Sequence, residues 1–435
     1  MAKLLEVKEF ETIVGNPKYK NKYTCMDEEA FADLLEFIHA FQSNEIESDI
    51  LDFMRIGYKR NVGETVTFKN NYVGLIQMKR GHQIQILPKI EFAKGEKDET
   101  KRVFMKMLRS MKDFPSKVFM NANLKIDRMN LYEIFINMYL QEVRNLVKRG
   151  LKSAYVTQED NLFVYKGKLL IKEHIRNNFA HRERFYVSFD EYQVDRAENR
   201  IIKSTLLKLN KITSSAENAK EIRWLLTAFE LVEASENYDK DFSKVVIDRN
   251  TKAYNSLMKW SKVFLKDKSF TTFSGTESVR ALMFPMEKVF EAYVAKNLRK
   301  VFSREGWQVS IQNRGYYLFN KLNGENHKRF AIRPDIVVTR NDGNTVILDT
   351  KWKNLVDRKN ENFGISSADM YQMYAYSKKY KTPGVWLLYP VNSEMRDYEV
   401  IEFDSGDGVT VSAFFVDVAN IEKSMEDLLN RLKRK

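Results

Sequence analysis

The stretch "RPDIVVTRNDGNTVILDTKWKNL", residues 333–355, decides the fold of the C-terminal part of this 435-residue chain. Residues 341–344, Asn-Asp-Gly-Asn, are typical of a tight turn. They predict that residues 336–340 and 345–352 pair as antiparallel strands. The second strand is apolar at first and then becomes charged, so its end is a candidate site.

Two acids and a lysine fall at one end of this predicted hairpin. If Arg340 is opposite Thr345, Asp335 and Asp349 lie almost across from each other, where directly opposed Cβ atoms are roughly 5 Å apart. Lys351 follows Asp349 by two residues and therefore lies on the same face of the strand. Two carboxylates this close repel each other, and one lysine compensates only part of their charge. A divalent cation completes the charge balance of the predicted site.

The ligand chemistry of this cluster favours one group of metals. Oxygen ligands with open water positions suit Mg²⁺ or Mn²⁺ better than zinc, which prefers histidine or cysteine. The expected reaction is phosphodiester hydrolysis, in which Lys351 orients the water and offsets developing negative charge. The alternative is an exposed strand face where Asp349 and Lys351 form a surface ion pair, because an acid and a lysine at this spacing are common.

The sequence on both sides of the hairpin predicts the elements that enclose it. The stretch "PMEKVFEAYVAKNLRKVF" predicts a helix that places Glu291 at the edge of its buried stripe. After the hairpin, "SSADMYQMYAYSKKY" predicts a helix with Gln372 and Tyr376 on one face, and "GVWLLYP" predicts a buried strand. The predicted order is therefore helix, hairpin, helix, strand.

Composition narrows the class of protein. The chain has 72 basic and 59 acidic residues, a net charge of +13, and a pI near 9.3. A polyanion is the expected partner, with nucleic acid ahead of an anionic membrane. A single cysteine, Cys25, excludes an intrachain disulfide framework and a multi-cysteine zinc site. The sequence contains no signal-type start and no apolar run of about 18 residues, so we expect a cytoplasmic protein without a membrane span.

The chain divides into three predicted regions of a mixed α/β protein. Helical spacing follows the N-terminus, and alternating strand patterns occupy residues 55–92. Helical periods then dominate until Gly275 and its Ser/Thr neighbours interrupt them. The regions are an N-terminal helix and β-rich partner-docking region (1–100), a mixed, mainly helical middle region (101–271) and a C-terminal catalytic domain (272–435).

The C-terminal part resembles the PD-(D/E)xK nuclease superfamily, with "RPD" at 333–335 and "DTK" at 349–351 as its two-part signature. More narrowly, the chain resembles the McrC family, the nuclease subunit of modification-dependent restriction systems. The narrower resemblance rests on five stretches: "ILPKI" at 86–90, "ENRIIK" at 198–203, "KVFEAYV" at 288–294, "DTKWK" at 349–353 and "DMYQMYAY" at 369–376. The first 50 residues match nothing in the family.

The resemblance implies a fold and a set of site residues. The fold is a nuclease core with a mixed sheet flanked by helices. Glu291, Asp335 and Asp349 hold Mg²⁺, which Mn²⁺ can replace, together with the carbonyl of Thr350. Lys351 is catalytic. Gln372 supports the site, and Glu287 is the less favoured helix acid. Thr350 stands where the family more usually has alanine, and this change should be harmless since only the backbone of the residue is used.

The resemblance also implies a function and partners. McrC-like chains are Mg²⁺-dependent DNA endonuclease subunits that work with a separate AAA+ GTPase, McrB, on DNA carrying modified bases. The sequence has no GxxxxGK[ST] phosphate loop, which fits a nuclease without its own motor. The alternative is a catalytically silent nuclease-fold subunit that binds DNA and activates a partner AAA+ NTPase.

Overall fold

The computed structural model of the chain describes most of its length as two compact units. The first unit comprises residues 1–114, 125–128 and 269–435, and the second comprises residues 115–124 and 129–268. The structure describes residues 4–42, 54–69, 71–78, 80, 82–92, 99–112, 114, 129–248, 251–266, 280–321 and 327–434.

The described residues form runs of strands and runs of helices. The strands are β1 (Leu4–Lys8), β2 (Thr12–Val14), β3 (Thr24–Cys25), β4 (Met54–Lys59), β5 (Gly63–Phe68), β6 (Tyr72–Gln77), β7 (Gln83–Leu87), β8 (Ala154–Leu162), β9 (Lys168–Leu169), β10 (Phe185–Gln193), β11 (Arg280–Pro285), β12 (Gln308–Ile311), β13 (Tyr317–Lys321), β14 (His327–Ala331), β15 (Ile336–Thr339), β16 (Thr345–Thr350), β17 (Gly384–Pro390), β18 (Val400–Asp404) and β19 (Thr410–Val416). The helices are α1 (Glu28–Gln42), α2 (Thr100–Leu108), α3 (Leu131–Arg149), α4 (Ile171–Asn178), α5 (Ala197–Ile212), α6 (Ala216–Thr227), α7 (Tyr238–Lys244), α8 (Tyr254–Lys266), α9 (Met286–Phe302), α10 (Ser367–Tyr380) and α11 (Ile421–Arg434). In the part of the chain that the structure describes, no helix is long and apolar enough to span a bilayer.

A six-stranded mixed sheet forms the centre of the C-terminal region. Its strand order is β12-β15-β16-β17-β19-β18. The inner strands β16, β17 and β19 run parallel, whereas β12, β15 and β18 are antiparallel to their neighbours. Helices α9 and α10 pack on β16, and α11 packs on β19. The mixed α/β class and the order helix, hairpin, helix, strand are therefore confirmed, with β12 to β14 inserted between α9 and the hairpin.

The hairpin β15–β16 forms, but its predicted register was wrong by one residue. Thr339, not Arg340, lies opposite Thr345. The reason is that the Arg340 amide donates to the Asn344 carbonyl at 2.8 Å, so Asn344 already belongs to the pairing and the loop is shorter than expected. Gly343 supplies the left-handed backbone, φ +85°, that this loop requires. In the observed register Asp335 falls directly opposite Asp349.

The N-terminal residues build two four-stranded sheets in the same unit. Their orders are β3-β2-β5-β4 and β1-β7-β6-β11. The antiparallel pairs β4–β5 and β6–β7 confirm the small β-unit predicted at residues 55–92, and α1 confirms the helix that precedes it. Apolar side chains of both sheets and α1 share one core.

Strand β11 pairs with β6, so the N-terminal and C-terminal regions pack together. We predicted no strand at these residues, because the stretch "KSFTTFSGTESVRALMF" at 268–284 is typical of a loop that leads into the next region. The boundary predicted near residue 272 lies outside the described residues. The division into three functional regions stays a prediction.

The second unit contains helices α3 to α8 and the sheet β8-β10-β9. Two of its helix ends are capped in ways that suit their residue types. Gly150 ends α3 with φ +84°, and the Ser215 side chain caps α6 by accepting from the Asn218 amide. The buried Glu133 carboxylate accepts from Thr213, Ser214 and Asn218 and so fixes the loop between α5 and α6 to α3.

Candidate active site

Asp349 and Lys351 meet at the end of β16. The Asp349 side chain is 1% exposed, because β16 is a buried inner strand of the sheet. The Lys351 Nζ lies 2.7 Å from Asp349 Oδ2. The Lys351 amide continues the sheet by donating to the Leu388 carbonyl at 2.9 Å. The two-residue spacing therefore brings the two charged groups together, as expected for one face of a strand.

Asp335 lies just before β15 and is held by Thr350. Both the amide and the hydroxyl of Thr350 donate to Asp335 Oδ2, at 2.8 and 2.7 Å. The expectation that only the Thr350 backbone is used was therefore wrong. A threonine at this position has a physical reason, since alanine could donate only one of the two hydrogen bonds.

Glu291 on α9 is close enough to both aspartates to be affected by their charges. Its Oε1 accepts from the side-chain amide of Gln312 at 3.0 Å. Burial, together with the charges of Asp335 and Asp349, raises the pKa of Glu291 to about 7, although the hydrogen bond from Gln312 acts in the opposite direction. Glu287, one turn earlier, instead accepts a hydrogen bond from Asn71 at 3.0 Å, and thus has a different partner.

The cluster has an excess of negative charge. Burial raises the pKa of Asp349 to about 6, with a further contribution from the Asp335 charge, while Lys351 acts in the opposite direction. Burial lowers the pKa of Lys351, but the Asp349 carboxylate outweighs this effect and the net direction is upward. Lys351 therefore stays protonated, and the carboxylates still lack full compensation.

Gln372 on α10 holds the lysine from the other side. Its Oε1 accepts from Lys351 Nζ at 3.0 Å, and its Nε2 donates to the Tyr376 hydroxyl at 2.7 Å. Tyr376 in turn donates to the carbonyl of Arg333 at 3.0 Å. This chain of hydrogen bonds connects the lysine to the segment that carries Asp335.

Asp369, at the start of α10, was not predicted as a site residue. Its carboxylate lies 2.9 Å from Lys353 Nζ and 3.7 Å from Lys351 Nζ. The Ser366 side chain caps this helix by accepting from the Asp369 amide. The position of Asp369 next to a helix N-terminus was the only sequence signal, and it also fits an ordinary helix cap.

The residues suit a hard cation, although their carboxylates are engaged with other side chains. No group of three or more His, Cys, Asp or Glu residues among those described is arranged as a metal site. Gln312 donates to Glu291, and Thr350 donates to Asp335. Lys351 forms an ion pair with Asp349. Asp349 is buried, and its Oδ2 has the Lys351 ammonium at 2.7 Å as its partner. An all-oxygen set that carries more carboxylate charge than this lysine compensates fits Mg²⁺ or Mn²⁺.

A second buried carboxylate, Glu9, contacts Trp352, the residue that follows Lys351. It is 4% exposed and follows β1. Both of its oxygens accept from the indole Nε1 of Trp352 at 3.2 Å, and Oε2 also accepts from the Lys89 amide at 3.0 Å. Trp352 directly follows Lys351, and its ring is 5.3 Å from that of Phe290, the neighbour of Glu291. Glu9 therefore joins the N-terminal sheet to two elements of the site.

The Glu9 contact predicts a pH-dependent stability. Burial raises the pKa of Glu9 to about 7 from an ordinary value of 4.5, so the folded state favours the protonated form. Stability is therefore lost as pH rises from about 4.5 towards 7. We expect the unfolding free energy of Glu9→Gln, minus that of the wild type, to increase between about pH 5 and pH 8 in urea denaturation. Glu11→Gln, at a partly exposed position, is the matched control, and equal slopes for the two variants would contradict the assignment.

A mixed sheet with two facing aspartates, and a lysine two residues after the second, defines the PD-(D/E)xK nuclease fold. The family model of the McrBC 5-methylcytosine restriction system component matches residues 68–390. The chain belongs to this family, as its resemblance to McrC predicts.

The fold of the chain is similar to that of a solved structure. A chain of the refined half-complex from the tetradecameric assembly of Thermococcus gammatolerans McrB AAA+ hexamers with bound McrC aligns with a TM-score of 0.73 at 20% identity, covering 99% of this chain and 100% of that chain. A chain of the Thermococcus gammatolerans McrBC complex aligns with a TM-score of 0.49 at 21% identity, covering 69% and 88% of the two chains. No curated protein matches the sequence.

Proposed function

We propose that this chain is the Mg²⁺-dependent DNA endonuclease subunit of an McrBC-like, type IV restriction system. The observation that carries the proposal is the arrangement of Asp349, Lys351 and Asp335 at the ends of paired strands, with Glu291 close by and Asp349 buried against the lysine. A decayed site would be expected to have lost at least one of these charged groups.

The residues of the site take distinct roles in this proposal. Asp349, Asp335, Glu291 and the Thr350 carbonyl would hold the ion, which when bound polarises the scissile phosphate and lowers the pKa of its water. Lys351 orients that water and offsets the charge that develops on the phosphate. Gln372 and Tyr376 fix the position of the ammonium group through hydrogen bonds.

The partner in this proposal is an AAA+ NTPase of the McrB type. Support comes from the family, from the similar fold of a chain solved together with McrB AAA+ hexamers, and from the absence of a GxxxxGK[ST] loop in this sequence. The partner would supply nucleotide hydrolysis, and this chain would supply the phosphodiester chemistry and raise the turnover of the partner. The DNA would carry modified bases, as the description of the family implies.

Metal substitution in a cleavage assay tests the proposal. The chain is mixed with its AAA+ partner, nucleotide and plasmid DNA that carries methylated cytosine. We expect cutting with Mg²⁺ or Mn²⁺ and DNA binding with little cutting in Ca²⁺, because Ca²⁺ accepts the same oxygen ligands with a looser geometry. Cutting in excess chelator at the rate seen with Mg²⁺ would contradict the proposal.

A further inference from the structure

A two-stranded hairpin stands next to the candidate site. Among the described strands, β13 and β14 pair only with each other, and we call residues 314–321 and 327–333 the arm. The base of the arm is fixed to the domain, since Leu318 packs against the core and the Tyr316 ring lies 4.2 Å from that of Tyr380. Above this base the arm is largely exposed.

Both ends of the arm lie next to Glu291 and Asp335, two acidic residues of the candidate site. Before the arm, Gln312 donates through its side chain to Glu291 at 3.0 Å and through its amide to the Asp335 carbonyl at 2.8 Å. After the arm, the Arg333 carbonyl accepts from Tyr376, and Asp335 follows two residues later. A substrate bound at the carboxylates therefore lies beside the arm.

The arm is strongly basic. The segment from residue 312 to 334 contains five Lys and Arg residues and one acid, Glu325, a local net charge of +4. The exposed cations are Arg314, Lys328, Arg329 and Arg333. Among the described residues, none of these four forms an ion pair with a carboxylate. Lys328 Nζ is instead 5.6 Å from the centre of the Tyr317 ring. Unpaired cations attract an anionic ligand, and a phosphate next to the candidate metal site could contact both these cations and a bound ion.

Two phenylalanine rings project from the same arm. Phe319 and Phe330 are 65% and 70% exposed, and their ring centroids are 6.0 Å apart in an edge-to-face arrangement. Phe330 adopts a left-handed backbone with φ +57°, which a bulky residue rarely does. Exposed apolar rings with cations around them suit a surface that inserts side chains at the base steps of a duplex and contacts its phosphates.

We propose that the arm is the surface that grips DNA next to the scissile phosphate, with its cations on the phosphates and with Phe319 and Phe330 against the bases. This inference rests on the proposed function and names the part of the chain that holds the substrate. Phosphate contacts fix the position of the DNA strand, and the rings add contacts whose strength does not depend on salt concentration.

The test measures DNA affinity of the complete complex in Ca²⁺, by fluorescence anisotropy with a methylated 40-base-pair duplex over a range of salt concentrations. For Lys328→Ala/Arg329→Ala we expect weaker binding and a salt slope, log K against log salt, reduced by about 1 for each cation removed. For Phe319→Ala we expect about fivefold weaker binding or more with an unchanged slope. Lys423→Ala/Arg434→Ala removes two exposed cations of α11 and is the matched control, with unchanged binding.

The outcomes separate the inference from the proposed function. If the wild-type complex binds and cuts DNA while both arm variants match it in affinity and salt slope, the arm does not hold DNA. If the arm variants bind DNA normally but fail to stimulate the partner NTPase, the arm docks a protein and the inference is overturned. If the wild-type complex neither binds nor cuts DNA, the proposed function itself fails. Arm variants must keep the wild-type melting temperature, so that a loss of affinity is not a loss of fold.

Discussion

Asp349→Asn is expected to reduce the rate of DNA cleavage by the complete complex at least about 100-fold without loss of the fold. The substitution keeps the shape of the side chain and removes the charge that Lys351 and a cation share. Because burial already disfavours this carboxylate, its replacement by a neutral amide should not lower the melting temperature. The initial rate is measured with saturating Mg²⁺ and nucleotide, and Mn²⁺ affinity is measured by calorimetry and should fall.

Asp397→Asn is the matched control for this prediction. It makes the same chemical change at an exposed position of the same unit and should leave both rate and metal affinity unchanged. If Asp349→Asn cut DNA as fast as the control, Asp349 would not belong to the active site.

Lys351→Ala is expected to produce a comparable loss of cleavage, of at least about 100-fold, but the opposite effect on metal binding. The ammonium group lies 2.7 Å from Asp349 and therefore competes with a cation for its oxygen. Without it, Mn²⁺ affinity should stay equal or rise, while the water loses the group that orients it. The same rate assay and calorimetry measure both effects.

Lys353→Ala serves as the comparison for Lys351→Ala, because Lys353 also pairs with Asp369 but is not expected to touch the reacting groups. Its cleavage rate should stay within about threefold of the wild type. A loss of Mn²⁺ affinity in Lys351→Ala equal to that in Asp349→Asn would mean that the lysine only supports the fold of the site.

The local features of the fold were predictable from sequence. Turn residues between two short apolar runs specify the hairpin β15–β16, and helical spacing specifies α9 and α10, because these signals lie within a few neighbouring residues. The register was wrong by one residue, since whether Asn344 belongs to the turn or to the ladder depends on a single backbone hydrogen bond. The candidate site could be predicted for the same reason, as Asp349 and Lys351 share a strand face.

The contacts that support the site could not be predicted in the same way. Glu9 and Trp352 are 343 residues apart, and neither stands in a pattern that points to the other. Strand β11 was missed because its partner β6 belongs to the N-terminal sheet, about 200 residues earlier in the chain. The predicted exclusive use of the Thr350 backbone failed because a hydroxyl can accept or donate many different hydrogen bonds, and only the register shows that Asp335 is within reach.

The proposed nuclease function is tested most directly by cleavage of methylated plasmid DNA. The purified chain is mixed with its AAA+ partner, nucleotide and Mg²⁺, and the products are followed on a gel while one component at a time is omitted. Nucleotide hydrolysis is measured in the same tubes. If the proposed function is right, linear DNA products form in the complete mixture alone. This chain by itself hydrolyses no nucleotide, and the partner hydrolyses nucleotide faster when this chain is added. Efficient cutting by this chain without partner or nucleotide would indicate a self-sufficient enzyme. Stimulated hydrolysis without any cutting in Mg²⁺ or Mn²⁺ would contradict the nuclease assignment and leave a catalytically silent assembly subunit.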